Sequence, residues 1–86
     1  MIRRRIVFRG WVQGVGFRWR ARHAAQRFGC TGWVRNESDG TVTMEIQGRD
    51  AWIQAVILAV KAGKYVSVER MDVQTIPVDE EERSFR

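Results

Sequence analysis

The sequence predicts an α+β fold in the order β-α-β-β-α-β, with two helices packed on one face of an antiparallel sheet. Three observations carry this. Apolar residues recur at spacings of three, four and seven around residues 17–28 and 52–60, the signature of one apolar helix face. Short runs rich in β-branched and aromatic residues precede, separate and follow those stretches. Between two of the runs lies Asp39-Gly40, a strong hairpin signal.

Taken in order, residues 3–9 are apolar at their centre, at Ile6, Val7 and Phe8, and read as a buried central strand with a charged start. Gly10 is expected to end it. The first helix buries Phe17, Ala21, Ala24, Ala25 and Phe28, and Gly29 stands where a left-handed cap belongs. Residues 31–36 form the second strand and 41–47 the third, the latter with Val42, Met44 and Ile46 on one face. In the second helix, Asp50 is the expected cap. Its buried stripe is Trp52, Ala55, Val56, Ala59 and Val60, widened by Ile53 and Ile57, with Gly63 closing the helix. Residues 66–76 alternate more weakly and read as a fourth strand ended by Pro77. Residues 79–82 are an acidic turn or tail, and Phe85 and Arg86 offer at most the start of a short fifth strand. Trp33 and Trp52 read as core. The whole is the ferredoxin-like split βαβ arrangement, an architecture that hosts RNA binders, metal carriers and enzymes alike.

Length and composition bound the possibilities. A chain of 86 residues builds one core, so 1–86 is expected to be a single domain that buries roughly 60–65% of its unfolded surface. Cys30 is the only cysteine, which excludes an intramolecular disulfide or a cysteine-based metal cluster and fits a reducing, cytoplasmic setting. No stretch has the ~18 apolar residues needed to span a bilayer, so no membrane partner is expected. The net charge of +5 is unevenly spread: residues 1–36 hold nine arginines and no acid, whereas residues 37–86 hold six basic and ten acidic side chains. The first part therefore invites an anionic partner, although solvated faces would account for most of these arginines.

Chemistry concentrates in two places. Residues 10–18, Gly-Trp-Val-Gln-Gly-Val-Gly-Phe-Arg, bring glycines into the turn between a strand and a helix. There, backbone N–H groups and the helix dipole can face an anion, and Arg18 can hold two phosphate oxygens at once. An ordinary tight β-to-α turn has the same glycine spacing. Residues 32–36, Gly-Trp-Val-Arg-Asn, end in Asn36, which is either a plain turn former or an amide able to hold a water against an electrophile in the loop. The predicted topology favours the second role, because parallel strands one and two open on the same edge of the sheet.

These two segments resemble the acylphosphatase family. Its signature Gly-x-Val-Gln-Gly-Val-x-Phe-Arg is met at residues 10–18, Gly-x-Val-x-Asn at 32–36 and Gly-Thr-Val at 40–42. The resemblance implies that Arg18 binds the phosphate group and Asn36 positions the attacking water. The amides of Gln13, Gly14, Val15, Gly16, Phe17 and Arg18 would form the cradle. It also implies a small-molecule acyl phosphate as substrate, inorganic phosphate or sulfate as a ligand of the loop, no cofactor and no metal, in a monomer. The residues point the same way: an acyl phosphate expels a carboxylate that needs no proton, and residues 1–36 supply no acidic side chain and only His23.

Other residues have plain readings. His23 is expected at an exposed or edge position, Cys30 as a small buried apolar residue, and Trp11 and Trp19 beside the loop. Two alternatives to an enzyme remain. One is a nucleic-acid-binding module, for which Phe8 is the one aromatic the first strand offers to stack a base. The other is a non-enzymatic interaction domain, since similar domains open larger carbamoyl-transfer enzymes; the length of 86 residues argues for a self-contained protein instead.

Overall fold

A computed structural model describes residues Met1–Arg86. The elements are β1 (Ile2–Trp11), α1 (Phe17–Arg27), β2 (Thr31–Asn36), β3 (Val42–Gly48), α2 (Asp50–Lys61) and β4 (Ser67–Ile76), the expected order. The sheet runs β2-β3-β1-β4 with every neighbouring pair antiparallel, so β1 and β2 are parallel to each other and both lead toward the same end of the sheet.

Alternation decides which side of the sheet is apolar. Ile6 pairs with Met44, and Phe8 with Val42, so the inward residues of β1 and β3 stack beside Val34 of β2. The helices cover them with Phe17, Ala21, Ala24 and Ala25 from α1 and Ile53, Val56, Ile57 and Val60 from α2. Phe8 meets Phe17 edge-on, with ring centroids 4.8 Å apart, and so ties the first residue of α1 to the central strand. Phe8 is fully buried on the helix side and offers no face to a base.

Several local expectations are corrected. Gly10 does not end β1; a bulge between Arg9 and Gly10 shifts the register, and pairing with β4 continues to Trp11. Asp50 is the first residue of α2 rather than a side-chain cap, and Arg49 holds the cap position. Gly29 takes the left-handed conformation, but Gly63 does not; it is small because Val66 and Arg20 crowd it. Trp52 is 46% exposed at the helix rim, stacked on Phe28 at 5.9 Å, and Trp33 is half-buried on the opposite sheet face under the Arg35 guanidinium.

The polar sheet face is partly covered as well. After β4 the chain crosses it: Gln47 exchanges two hydrogen bonds with the backbone of Asp79, and buried Arg3 donates to Glu82 at 2.8 Å as well as to Glu45 and Gln47. The chain then reaches the free side of β2, where Gly32 N–H donates to Ser84 O and Arg86 N–H donates to Gly32 O. A single parallel bridge forms there in place of a fifth strand. Phe85 turns inward and joins the core at 4% exposure.

Candidate active site

The site forms where β1 hands the chain to α1. Gly14 and Gly16 have φ of 71° and 77°, a region that side chains with a Cβ rarely enter, so the chain reverses tightly over residues 12–16. In this conformation the N–H groups of Gln13, Gly14, Val15 and Gly16 have no backbone partner. The start of α1 adds to them. No side chain caps the helix and no acid lies in its first turn, so its free N–H groups and positive dipole end are left open.

A cavity of about 180 Å³ lies against this turn, lined by Val12, Gly14, Gly16, Phe17, Arg18, Trp19 and Asn36. Residues 18 apart in sequence thus share one small space, because β2 runs parallel to β1 and ends beside the same loop. Arg18 and Asn36 are the only strongly polar side chains in the lining. It contains no carboxylate, imidazole or thiol, and no three His, Cys, Asp or Glu side chains in the chain are grouped so as to hold a metal ion. Arg18 forms no salt bridge within the protein.

Of the loop residues expected at the cradle, Gly14, Gly16, Phe17 and Arg18 line this cavity, whereas Gln13 and Val15 do not. Val15 packs on the core. The Gln13 side chain turns the other way: its Nε2 donates to the carbonyls of Glu37, at 2.7 Å, and Thr41, at 2.9 Å, on the hairpin that follows Asn36. That clamp was not readable from the sequence, since its acceptors are backbone atoms on a distant loop. Val12 and Trp19 are further wall residues. Val12 is fully buried and Trp19 is exposed, while Trp11, also exposed, pairs with Ser67 of β4 and does not line the cavity.

The hairpin is itself braced. Asp39 accepts from the Thr41 hydroxyl at 2.6 Å and from its N–H at 3.0 Å, which holds the Asp39 carboxyl below the usual carboxylate range. Glu37 is held below that range by Arg35 first and by the Thr43 hydroxyl second. Both carboxylates point away from the cavity lining. Cys30 is buried, and burial pushes its thiol up, as befits a packing residue. His23 is exposed and lies against Trp19, with ring centroids 3.9 Å apart.

Comparison with known proteins places this geometry. A family model described as acylphosphatase matches residues 4–86. A protein of Geobacillus kaustophilus named acylphosphatase is 40% identical over 87 residues, covering all of this chain and 93% of its own. The crystal structure of acylphosphatase from Bacillus subtilis superposes with a TM-score of 0.89 at 34% identity, over 99% of this chain and 96% of that one. Full-length HypF, solved in a phosphate- and nucleotide-bound form, also superposes at 0.86 with 31% identity, but only 11% of its chain is involved. With a match over nearly its whole length, a shared fold and both signature segments on one cavity, the chain belongs to the acylphosphatase family.

Proposed function

We propose that the protein hydrolyses acyl phosphates to a carboxylate and inorganic phosphate, with the catalytic residues Arg18 and Asn36. The observation that carries this is the single cavity lined by Gly14 and Gly16 of the loop, by Arg18 and by Asn36, at the uncapped start of α1. Each element has one task. The loop amides and the α1 N-terminus hold the phosphate oxygens, and Arg18 adds a bidentate fork whose charge grows in value as the transferred group loosens. Asn36 accepts a hydrogen bond from the attacking water through its amide oxygen and so places it opposite the leaving oxygen. The leaving carboxylate is stable without a proton, so a cavity with no general acid suits this substrate and serves alkyl phosphates poorly. The reaction needs no metal on this reading.

The coarser setting follows. No helix is long and apolar enough to cross a membrane, and a lone buried thiol suits the cytoplasm. One core cluster joins the sheet and both helices, and residues 1–86 are read as one domain acting as a monomer. Burial of Phe8 removes the stacking residue on which the nucleic-acid alternative relied.

The test is hydrolysis of benzoyl phosphate without added metal by wild type, Arg18→Ala and Asn36→Ala. Each substitution is expected to cost about 3 kcal/mol of barrier, roughly a hundredfold in rate, by analogy with loss of one oxyanion-hole donor. An inactive wild type, or two variants with full rate, would remove the assignment.

A further inference from the structure

The basic side chains divide by layer. Arg3, Arg4, Arg5, Arg9, Arg35 and Arg70, on the strands, all form ion pairs. Arg18, Arg20, Arg22 and Arg27, the four arginines of α1, form none, and neither does Lys61 of α2. Arg18 belongs to the phosphate cavity; the others have no such task. The two helices hold a single acid, Asp50, and Arg4 of β1 lies 3.8 Å from it.

α2 is apolar on two opposite sides. Ile53, Val56, Ile57 and Val60 are buried against the sheet. Ala51, Ala55, Leu58 and the C-cap Ala62, at spacings of four, three and four, run along the other side, where Leu58 is 68% exposed. A helix with apolar residues on every side is ordinarily covered all round, yet only the inner side of α2 is covered. The cationic and apolar stripes share one outer surface, because the helices lie side by side and antiparallel. Phe28, after α1, stacks on Trp52 near the start of α2, and Arg20, near the start of α1, lies against Gly63 beyond the end of α2. Trp19 and Trp52 are both exposed on this layer.

We propose that the outer surface of the helix layer docks reversibly on an anionic lipid bilayer. Such a surface offers both things the layer asks for. Lipid headgroups bring negative charge to Arg22 and Arg27, and the acyl boundary takes Leu58, with the indoles at headgroup level. A nucleic acid would meet the arginines and leave the α2 stripe uncovered. A second copy of the chain would cover the stripe but bring no free acid to the arginines, since Asp50 is engaged with Arg4. The cytoplasmic leaflet is the anionic one, and docking of this kind needs no spanning helix.

The test is co-sedimentation with vesicles of equal parts phosphatidylserine and phosphatidylcholine, and with phosphatidylcholine alone. It is run at physiological ionic strength, where the ~8 Å screening length is short against the 19 Å smallest extent of the chain. Wild type is compared with Arg22→Gln/Arg27→Gln, with Leu58→Gln and with Arg9→Gln/Arg70→Gln, which removes the same charge from the far side of the sheet. Wild type is expected to bind the mixed vesicles and not the neutral ones. The α1 pair should weaken binding about twentyfold, at about fivefold for each cation brought to an anionic surface. Leu58→Gln should weaken it about fivefold, and the Arg9/Arg70 pair less than about twofold. All four positions are exposed, and melting curves near wild type show that each variant is folded. Wild type that fails to sediment with the mixed vesicles overturns the proposal. So does an equal loss in the Arg9/Arg70 pair, which would leave net charge as the cause. Full binding by Leu58→Gln overturns it too, since arginines acting alone are what a nucleic acid would use. A wild-type dimer abolished by Leu58→Gln would assign the stripe to a second copy instead.

Discussion

Replacing Gln13 by alanine tests whether the phosphate loop and the Asn36 hairpin are held as one unit. The side-chain amide donates to Glu37 O and Thr41 O at 2.7 and 2.9 Å, and these are the only side-chain bonds that join the two segments. Neither carbonyl would be orphaned by the change: Thr41 O still accepts from Glu37 N–H at 2.9 Å, and Glu37 O from Gly40 N–H at 3.3 Å. The cost therefore stays toward the lower part of the range for two hydrogen bonds, about 1–2 kcal/mol. For a domain of this size that corresponds to a melting temperature lower by roughly 5–15 °C. Because the loop and Asn36 would lose their common tie, kcat for benzoyl phosphate should fall more than the phosphate inhibition constant changes, about tenfold against twofold, since the cradle is local and the water site is not. Gln13→Glu should be worse than Gln13→Ala, because it sets a carboxylate against two carbonyl oxygens. Melting by tryptophan fluorescence and steady-state kinetics on the three proteins decide it. If Gln13→Ala melts with wild type and keeps its kcat, the clamp has no function and the coupling argument fails.

Other outcomes follow from the same structure. Gly32→Ala should prevent folding or cost several kcal/mol, as a Cβ there would fall 1.9 Å from Glu45 O at φ 144°; a urea midpoint near wild type would contradict this. Phe85→Ala should lower stability by about 3 kcal/mol, read from urea unfolding, since it removes a core side chain that also anchors the crossing segment. The Glu37, Asp39 and Asp72 carboxyls are held below the usual range by Arg35, by Thr41 and by Arg70 respectively. Folded-state values below the unfolded ones stabilise the protein above the unfolded pKa, and that stability is lost as pH falls through the folded values. The melting temperature should therefore be level near neutrality and drop below about pH 4, and Asp39→Asn should flatten the drop.

Much of this architecture could be read from residue spacing. The Val42, Met44 and Ile46 alternation and the Phe17, Ala21, Ala24 and Ala25 face each correspond to one buried side of a regular element, and such signals survive folding. Where the reading failed, tertiary contacts outweighed local ones. Trp52 fits the period of α2 but sits at the edge of its stripe, so it stacks on Phe28 and stays half in solvent. Gly10 looks like a terminator, yet a bulge absorbs it and the pairing with β4 carries on. β4 alternates weakly because it is an edge strand with only partial cover on either face. At the site, Arg18 and Asn36 were legible because both lie in signature segments. The division of the arginines into paired and unpaired sets was not, since one residue type serves both and only register tells them apart.

The crossing segment has a consequence for solubility. An edge strand leaves a row of N–H and C=O groups able to recruit a strand from another molecule, and β2 would be such an edge, with Trp33 and Val34 to reinforce the contact. Ser84 and Arg86 pair with Gly32 near the start of that row, and Phe85 buries the adjoining apolar surface. Loss of the last residues, as by carboxypeptidase trimming, would open the core at Phe85 and at the same time unmask a template for self-association. Such a trimmed form should melt below the full chain and precipitate when concentrated.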